Sequence, residues 1–421
     1  AGSDSFSGGL GDDVYIVDSA DSVSEYAGQG TDTVKSSSAT YTLAENVENL
    51  EYIGSAQADF AGNSEDNLIT GGGNNDTLRG ATGNDTLDGG TGVDSLIGGV
   101  GDDLVDHISD TVTELSSEGA DAVKTTLTAY CLGANVENLD YLGSGNATLN
   151  GNELANAITG SAGNDLLDGA VGADSLIAGG GNDTLVFDAS DTLISGGDGS
   201  DTLFIKASAN LLSGVVPTGI EIVQMTNSVT GGTASSLTLS AAKVRAMLSS
   251  GNDVLIVEGD AGDAIEVTEA WTSLGQTVAG YNDYTRATAG GTVILRMKAG
   301  ILLNQVVSGT TGDDTLPGGL GNDNITGLAG NDLLTGADGD DILKGDADND
   351  TLDGGLGNDT MYGGSGNDIY VVEEAGDVVD EESNTDSGDE IQTSRSTFSL
   401  AGYSAIEHLT FLSNDSSTGT G

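Results

Sequence analysis

Seven aspartates recur at intervals of nine residues: Asp314, Asp323, Asp332, Asp341, Asp350, Asp359 and Asp368. Two positions after each stands an apolar residue: Leu316, Ile325, Leu334, Leu343, Leu352, Met361 and Tyr370. The preceding positions are rich in Gly and Asn, so the unit reads Gly-Gly-x-Gly-x-Asp-x-(apolar)-x. A second run carries Asp76, Asp85, Asp94 and Asp103. A third carries Asp165, Asp174 and Asp183, with Asp201 returning two units after Asp183. Asp4 and Asp13, nine apart, are a remnant of a fourth. Carboxylates in such a pattern, with neither His nor Cys beside them, point to a hard cation held by oxygen ligands, and Ca²⁺ suits such a set.

Something must place these carboxylates together. The Gly- and Asn-rich part of each unit can take tight-turn and left-handed conformations. The last three residues suffice only for a minimal strand with one inward side chain. Two units then make one coil with a strand on each side, and coils stack in parallel because none can bury its own core. Stacking sets Asp314 over Asp332, Asp323 over Asp341, and likewise 332/350, 341/359, 350/368, 76/94, 85/103, 165/183 and 183/201. Paired carboxylates one strand spacing apart repel unless a cation lies between them. Nine such pairs predict roughly nine or more Ca²⁺ ions, against a formal net charge of -56.

Composition closes off other functions. With 67 acidic and 11 basic residues, the chain is expected to bind neither nucleic acid nor an anionic membrane surface. No apolar run is long enough for a transmembrane helix. The single cysteine, Cys131, allows no internal disulfide. No His-Glu-x-x-His or Gly-x-Ser-x-Gly motif occurs, and no enzyme activity is expected.

Segments 19–61, 107–150 and 372–421 resemble one another and read as spacers that continue the solenoid with larger coils. Cys131 aligns there with Thr42 and Ser399, which argues against a nucleophile. Asp110 and Asp415 read as lying outside the carboxylate ladders. Residues 205–306 lose the repeat and hold Trp271, Tyr281 and Tyr284; they predict a small β-rich insert domain with one helix near 240–249. Its aromatics read as a core, with a glycan-binding face as the alternative. The expected organisation is thus a solenoid over 1–204 (calcium blocks near 1–18, 62–106 and 151–205), the insert, and a roll over 307–421 with its block at 309–371.

The nonapeptide resembles the RTX, or hemolysin-type calcium-binding, repeat family. The resemblance implies an all-β, calcium-bound parallel β-roll in which each ion lies between turns of successive coils. Between Asp332 and Asp350 it implies carbonyl ligands from Leu328, Gly330, Gly345 and Ala347. Equivalent turn positions include Gly312, Gly321, Gly339, Gly327, Gly354 and Ala329. Asp346 and Asp348 depart from the family's preferred Gly. The resemblance also implies an extracellular protein exported by type I secretion. The expected role is a structural section of an adhesin, surface layer or filament that folds on binding Ca²⁺. The alternative is the non-catalytic calcium module of a secreted protease, lipase or polysaccharide epimerase. Open-looking solenoid ends suggest copies of the chain as partners.

Overall fold

The computed structural model describes residues 2–107, 110–206, 209–211, 214–225, 236–248, 252–260, 263–289, 291–381, 387–400, 405–412 and 418–420. Two units divide the chain: Ala1–Phe204 with Pro217–Ile220, and Ile205–Val216 with Glu221–Gly421. Both are built of short strands, and the single helix among the described residues is Ala241–Met247. No helix there is long and apolar enough to cross a membrane.

The first unit is a parallel solenoid. Eleven strands from Val14–Val17 to Leu193–Asp198 form one sheet, each pairing in parallel with the next. The intervening strands build other parallel sheets, one running from Thr40–Thr42 to Thr111–Thr113. The period-2 alternation buries one side chain per short strand, and coil stacking lines these up. Tyr15, Val34, Leu50, Ile69, Leu87, Val105, Val123, Leu139, Ile158, Leu176 and Ile194 form one continuous row. Phe60, Leu78 and Leu96 form part of a second row, which shares one core with the first row from Tyr15 to Val105. Burying a Leu or Ile side chain contributes about 1.5–3 kcal/mol, so the core's strength lies in repetition.

The spacers stay within this stack but are not uniformly larger. Val34 pairs with Leu50, a step shorter than two nonapeptides, and Leu50 pairs with Ile69, a step slightly longer. In the second unit Tyr370 pairs with Ile391, a longer step still. The turns absorb these differences because strand register, not coil length, is what the buried row constrains.

In the second unit the rows are Val307, Ile325, Leu343, Met361, Val379 and Leu316, Leu334, Leu352, Tyr370, Ile391, Leu409. Ile325, Leu334, Leu343, Leu352, Met361 and Tyr370 are fully buried, and Leu316 is partly buried against the same core. The middle segment, expected as an insert, keeps the parallel habit with much longer coils. Ile222–Met225, Val254–Glu258 and Gly291–Lys298 form one parallel series. Ser236–Leu239, Ala264–Val267 and Leu302–Ser308 form another. Among the described residues, only Thr272–Val278, Tyr281–Thr288 and Gly291–Lys298 pair antiparallel. The alternation that marks a strand does not say which strand it pairs with. The helix is capped by Ser240, whose hydroxyl accepts from Lys243 N. Trp271 and Tyr284 are buried, so neither offers a stacking face.

Candidate metal centre

Each candidate site is a turn closed back on itself. In turn 336–341, Ala337 and Gly339 take φ of 86° and 138°. A methyl group on Gly336 would lie 2.2 Å from Asp341 Oδ2 and 2.6 Å from the carbonyl oxygen of Gly354 in the next coil. Gly345 would meet Asp350 Oδ2 and the Gly363 carbonyl at 2.2 and 2.6 Å. A carboxylate oxygen and a carbonyl oxygen thus converge on a space that a side chain would fill. Leu328, Asp346 and Asp348 also adopt positive φ, at 84°, 75° and 75°. The Gly departures at 346 and 348 therefore leave the turn's shape intact, at a cost of roughly 1–2 kcal/mol for each such residue. Asp348 Oδ2 accepts from Gly330 N at 3.2 Å. The carbonyl-bearing positions pair between coils, Leu328 with Asp346 and Ala329 with Ala347. Equivalent fourth-position amides are anchored too, Gly321 N donating to Asp338 O and Gly339 N to Leu356 O, both 2.8 Å.

The motif aspartates form a hydrogen-bonded ladder. Asp323 N donates to Asp341 Oδ1 at 2.7 Å, and Asp341 N to Asp359 Oδ1 at 2.9 Å. On the other side Asp314 N, Asp332 N and Asp350 N donate to Oδ1 of Asp332, Asp350 and Asp368 at 2.7, 2.8 and 2.7 Å. The first unit repeats this for 76/94, 85/103, 165/183 and 183/201. A counter-ladder uses the fifth residue of the unit: Asp340 N donates to Asn322 Oδ1, and Asn358 N to Asp340 Oδ1. This explains why Asn or Asp precedes the motif aspartate.

Many ladder carboxylates have one oxygen engaged and the other not. Oδ2 of Asp76, Asp85, Asp94, Asp103, Asp174, Asp183, Asp323, Asp332, Asp341, Asp350 and Asp359 is buried with no hydrogen-bond partner. Asp201 and Asp368 are buried in the same ladders. Burial, reinforced by facing carboxylates, pushes Asp341 and Asp350 up to about 7 and Asp103 and Asp359 up to about 6. Asp323 is likewise pushed up to about 7 by burial. Buried Asp283 in the middle segment makes the contrast. Arg296 holds both its oxygens, at 2.9 and 2.8 Å, and draws its carboxyl below the usual range. A buried anion needs a partner of this kind. The ladder oxygens have converging oxygens instead, which is the arrangement a Ca²⁺ ion satisfies.

Not every expected ligand is placed alike. Asp4 is exposed and Asp13 half-buried. Asp314 is half-buried, and its Oδ2 accepts from Thr310 N and Oγ1 at 2.6 and 2.9 Å. Asp165 Oδ2 accepts from Ser161 N at 2.9 Å. Sequence reasoning also missed ladder members in the spacers. Asp110 takes Asp94 N at 2.9 Å, so it belongs to the ladder from which its shorter offset seemed to exclude it. Asp121, Asp377 and Asp389 do the same for Asp103, Asp359 and Asp368. Asp415 lies outside the described residues. Where blocks begin, asparagine stands at the motif position. Asn67 and Asn156 aim their amides at carbonyls of the preceding spacer coil, Val47 and Glu48 in one case and Val136 and Glu137 in the other. Asn63 and Asn152 reinforce them, each donating to two carbonyls of that coil. Cys131 is exposed, and so is His408.

Comparison with known proteins agrees with this geometry. Residues 1–21, 59–87, 70–105, 150–185, 303–334 and 335–370 match the RTX calcium-binding nonapeptide repeat in its four-copy form. The chain carries RTX calcium-binding repeats. Its all-β parallel solenoid matches an RTX β-roll. A stretch of 66 residues is 47% identical to the endo-1,3-1,4-beta-glycanase ExsH of Rhizobium meliloti (strain 1021). That match covers 15% of this chain and 14% of the relative's length.

Proposed function

We propose that this RTX chain is a calcium-folded structural section of a secreted protein, ordered only outside the cell. The carrying observation is the series of buried motif carboxylates, from Asp76 to Asp103 and from Asp323 to Asp359, whose Oδ2 has no hydrogen-bond partner. In cytosolic calcium these groups oppose the stack, because each buried carboxylate must ionise next to another. Bound calcium supplies the missing positive charge. The chain's own part is to preset the ligands: Oδ1 is fixed by the neighbouring amide, the turn glycines admit the carbonyls, and Oδ2 is left toward the ion. Folding free energy is thereby tied to calcium concentration, and extracellular calcium near millimolar is the range such modules use. Export by type I secretion, and a place in an adhesin, surface layer or filament, complete this reading.

The test is circular dichroism against free calcium. The β signal should rise cooperatively with calcium and collapse in EGTA; a spectrum indifferent to chelation defeats the proposal. The match to a glycanase favours a second reading, the calcium module of a secreted enzyme. The full-length gene product separates the two: a catalytic domain on the same polypeptide supports the module, and further solenoid sections support the structural role.

A further inference from the structure

The C-terminal ends of two calcium blocks hold an arrangement that the nonapeptide does not describe. Asp103 closes the second block, and the spacer that follows returns Glu114 and Asp121 to it. All three side chains are buried, and one carboxylate oxygen from each lies within 4.8 Å of the others. Glu114 Oε1 accepts from Gly98 N at 3.0 Å and Oε2 from Gly99 N at 3.3 Å. Asp121 Oδ1 accepts from Asp103 N at 2.9 Å. Oδ2 of Asp103 and Oδ2 of Asp121 have no hydrogen-bond partner, although these residues are only 1% exposed. A methyl group on Gly98 would meet Asp103 Oδ2 at 2.3 Å and Glu114 Oε1 at 2.7 Å, so these oxygens converge. Among the described residues no Lys or Arg pairs with any of the three.

We propose that Asp103, Glu114 and Asp121 form a three-carboxylate Ca²⁺ site that seals the end of the block, and that Asp368, Glu381 and Asp389 form its counterpart in the second unit. The counterpart has the same residue types, also buried and also within 4.8 Å. Three buried carboxylates with no nitrogen or sulfur ligand select a hard divalent ion, and the flexible oxygen set favours Ca²⁺ over Mg²⁺. Glu114, Asp121, Glu381 and Asp389 all fall beyond the residues matched by the repeat family. With three negative charges where a ladder turn pair brings two, this site fills at lower calcium than the ladder. Filling it docks the spacer coil onto the block.

The proposal rests on the calcium reading above only for the identity of the ion. The decisive measurement is anomalous diffraction from crystals of the whole chain grown in calcium. A peak among Asp103, Glu114 and Asp121 is expected. Ladder peaks without one there overturn this site alone, whereas no peaks anywhere overturn the calcium reading as well. At calcium just sufficient to fill the tightest sites of the wild type, native mass spectrometry of Glu114→Gln, which keeps the Gly98 contact but leaves only the two carboxylates of a ladder pair, should show one ion fewer. The Glu114→Gln/Glu381→Gln double variant should show two fewer, and exposed Glu153→Gln no change. An unchanged ion count in folded Glu114→Gln refutes the assignment.

Discussion

Asp341→Asn separates the two jobs of a ladder carboxylate. Asp341 accepts from Asp323 N at 2.7 Å through Oδ1, and its Oδ2 is buried without a partner. Asparagine keeps the acceptor and removes the charge. Burial pushes Asp341 from 3.8 up to about 7, and three pKa units correspond to about 4 kcal/mol for ionising it in the calcium-free fold. The variant should therefore weaken calcium binding and yet make the chelated chain less unstable. Loss of one of two paired carboxylates should raise the calcium midpoint at least ten-fold, about 1.4 kcal/mol. Asp341→Ala removes the acceptor as well and leaves Asp323 N–H buried and unpaired, a further cost of about 1–3 kcal/mol. Circular dichroism in calcium–EGTA buffers reads both effects, with urea melts at saturating calcium for the alanine variant. Asn67 and Asn156 already show the amide fitted at the motif position. A wild-type calcium midpoint for Asp341→Asn refutes the reasoning, because the carboxylate would then not be a ligand.

Acidity should act in opposite directions with and without calcium. Carboxyls raised to about 6–7 in the fold, such as Asp103, Asp323 and Asp350, bind protons more tightly folded than unfolded. In EGTA the fold should gain stability as pH falls from 7.5 toward 5 and lose it as pH rises through about 7; with calcium present, acidification should raise the calcium midpoint by proton competition. A β signal in EGTA that falls on mild acidification contradicts this. Gly336→Ala places a methyl 2.2 Å from Asp341 Oδ2, so native mass spectrometry should show at least one ion lost and the thermal midpoint should fall. Leu343, fully buried between Ile325 and Met361, should cost about 2–5 kcal/mol as Leu343→Ala in urea at saturating calcium. A change under about 1 kcal/mol there would mean that the apolar row is not a packed core.

Much of the molecule is legible in its period. The eighth-position residues from Ile325 to Tyr370 are the buried row, because a three-residue strand has one inward side chain and the stack has one inside. The motif aspartates from Asp323 to Asp359 are buried beside the turn start, since the preceding glycines leave room for nothing else. Asp110 and Asp121 are harder to see because no nonapeptide surrounds them, and Asp110 also falls two places short of a full double repeat after Asp94. A signal exists: the spacer copies align Glu25, Glu114 and Glu381. It is faint because Glu is ordinary on a solvated strand.

By itself, then, the sequence determined the coil, its core positions, its acidic turns and the ion chemistry they demand, because each follows from local periodicity. Tertiary structure alone decided which oxygen of each aspartate is committed to the neighbouring amide and which is left over. It also placed Glu114 against Asp103 and Asp121, and kept residues 205–306 in largely parallel pairing. These depend on register between coils of unequal length, from the short Val34–Leu50 step to the long Tyr370–Ile391 step, and register is set by the packing of neighbouring strands.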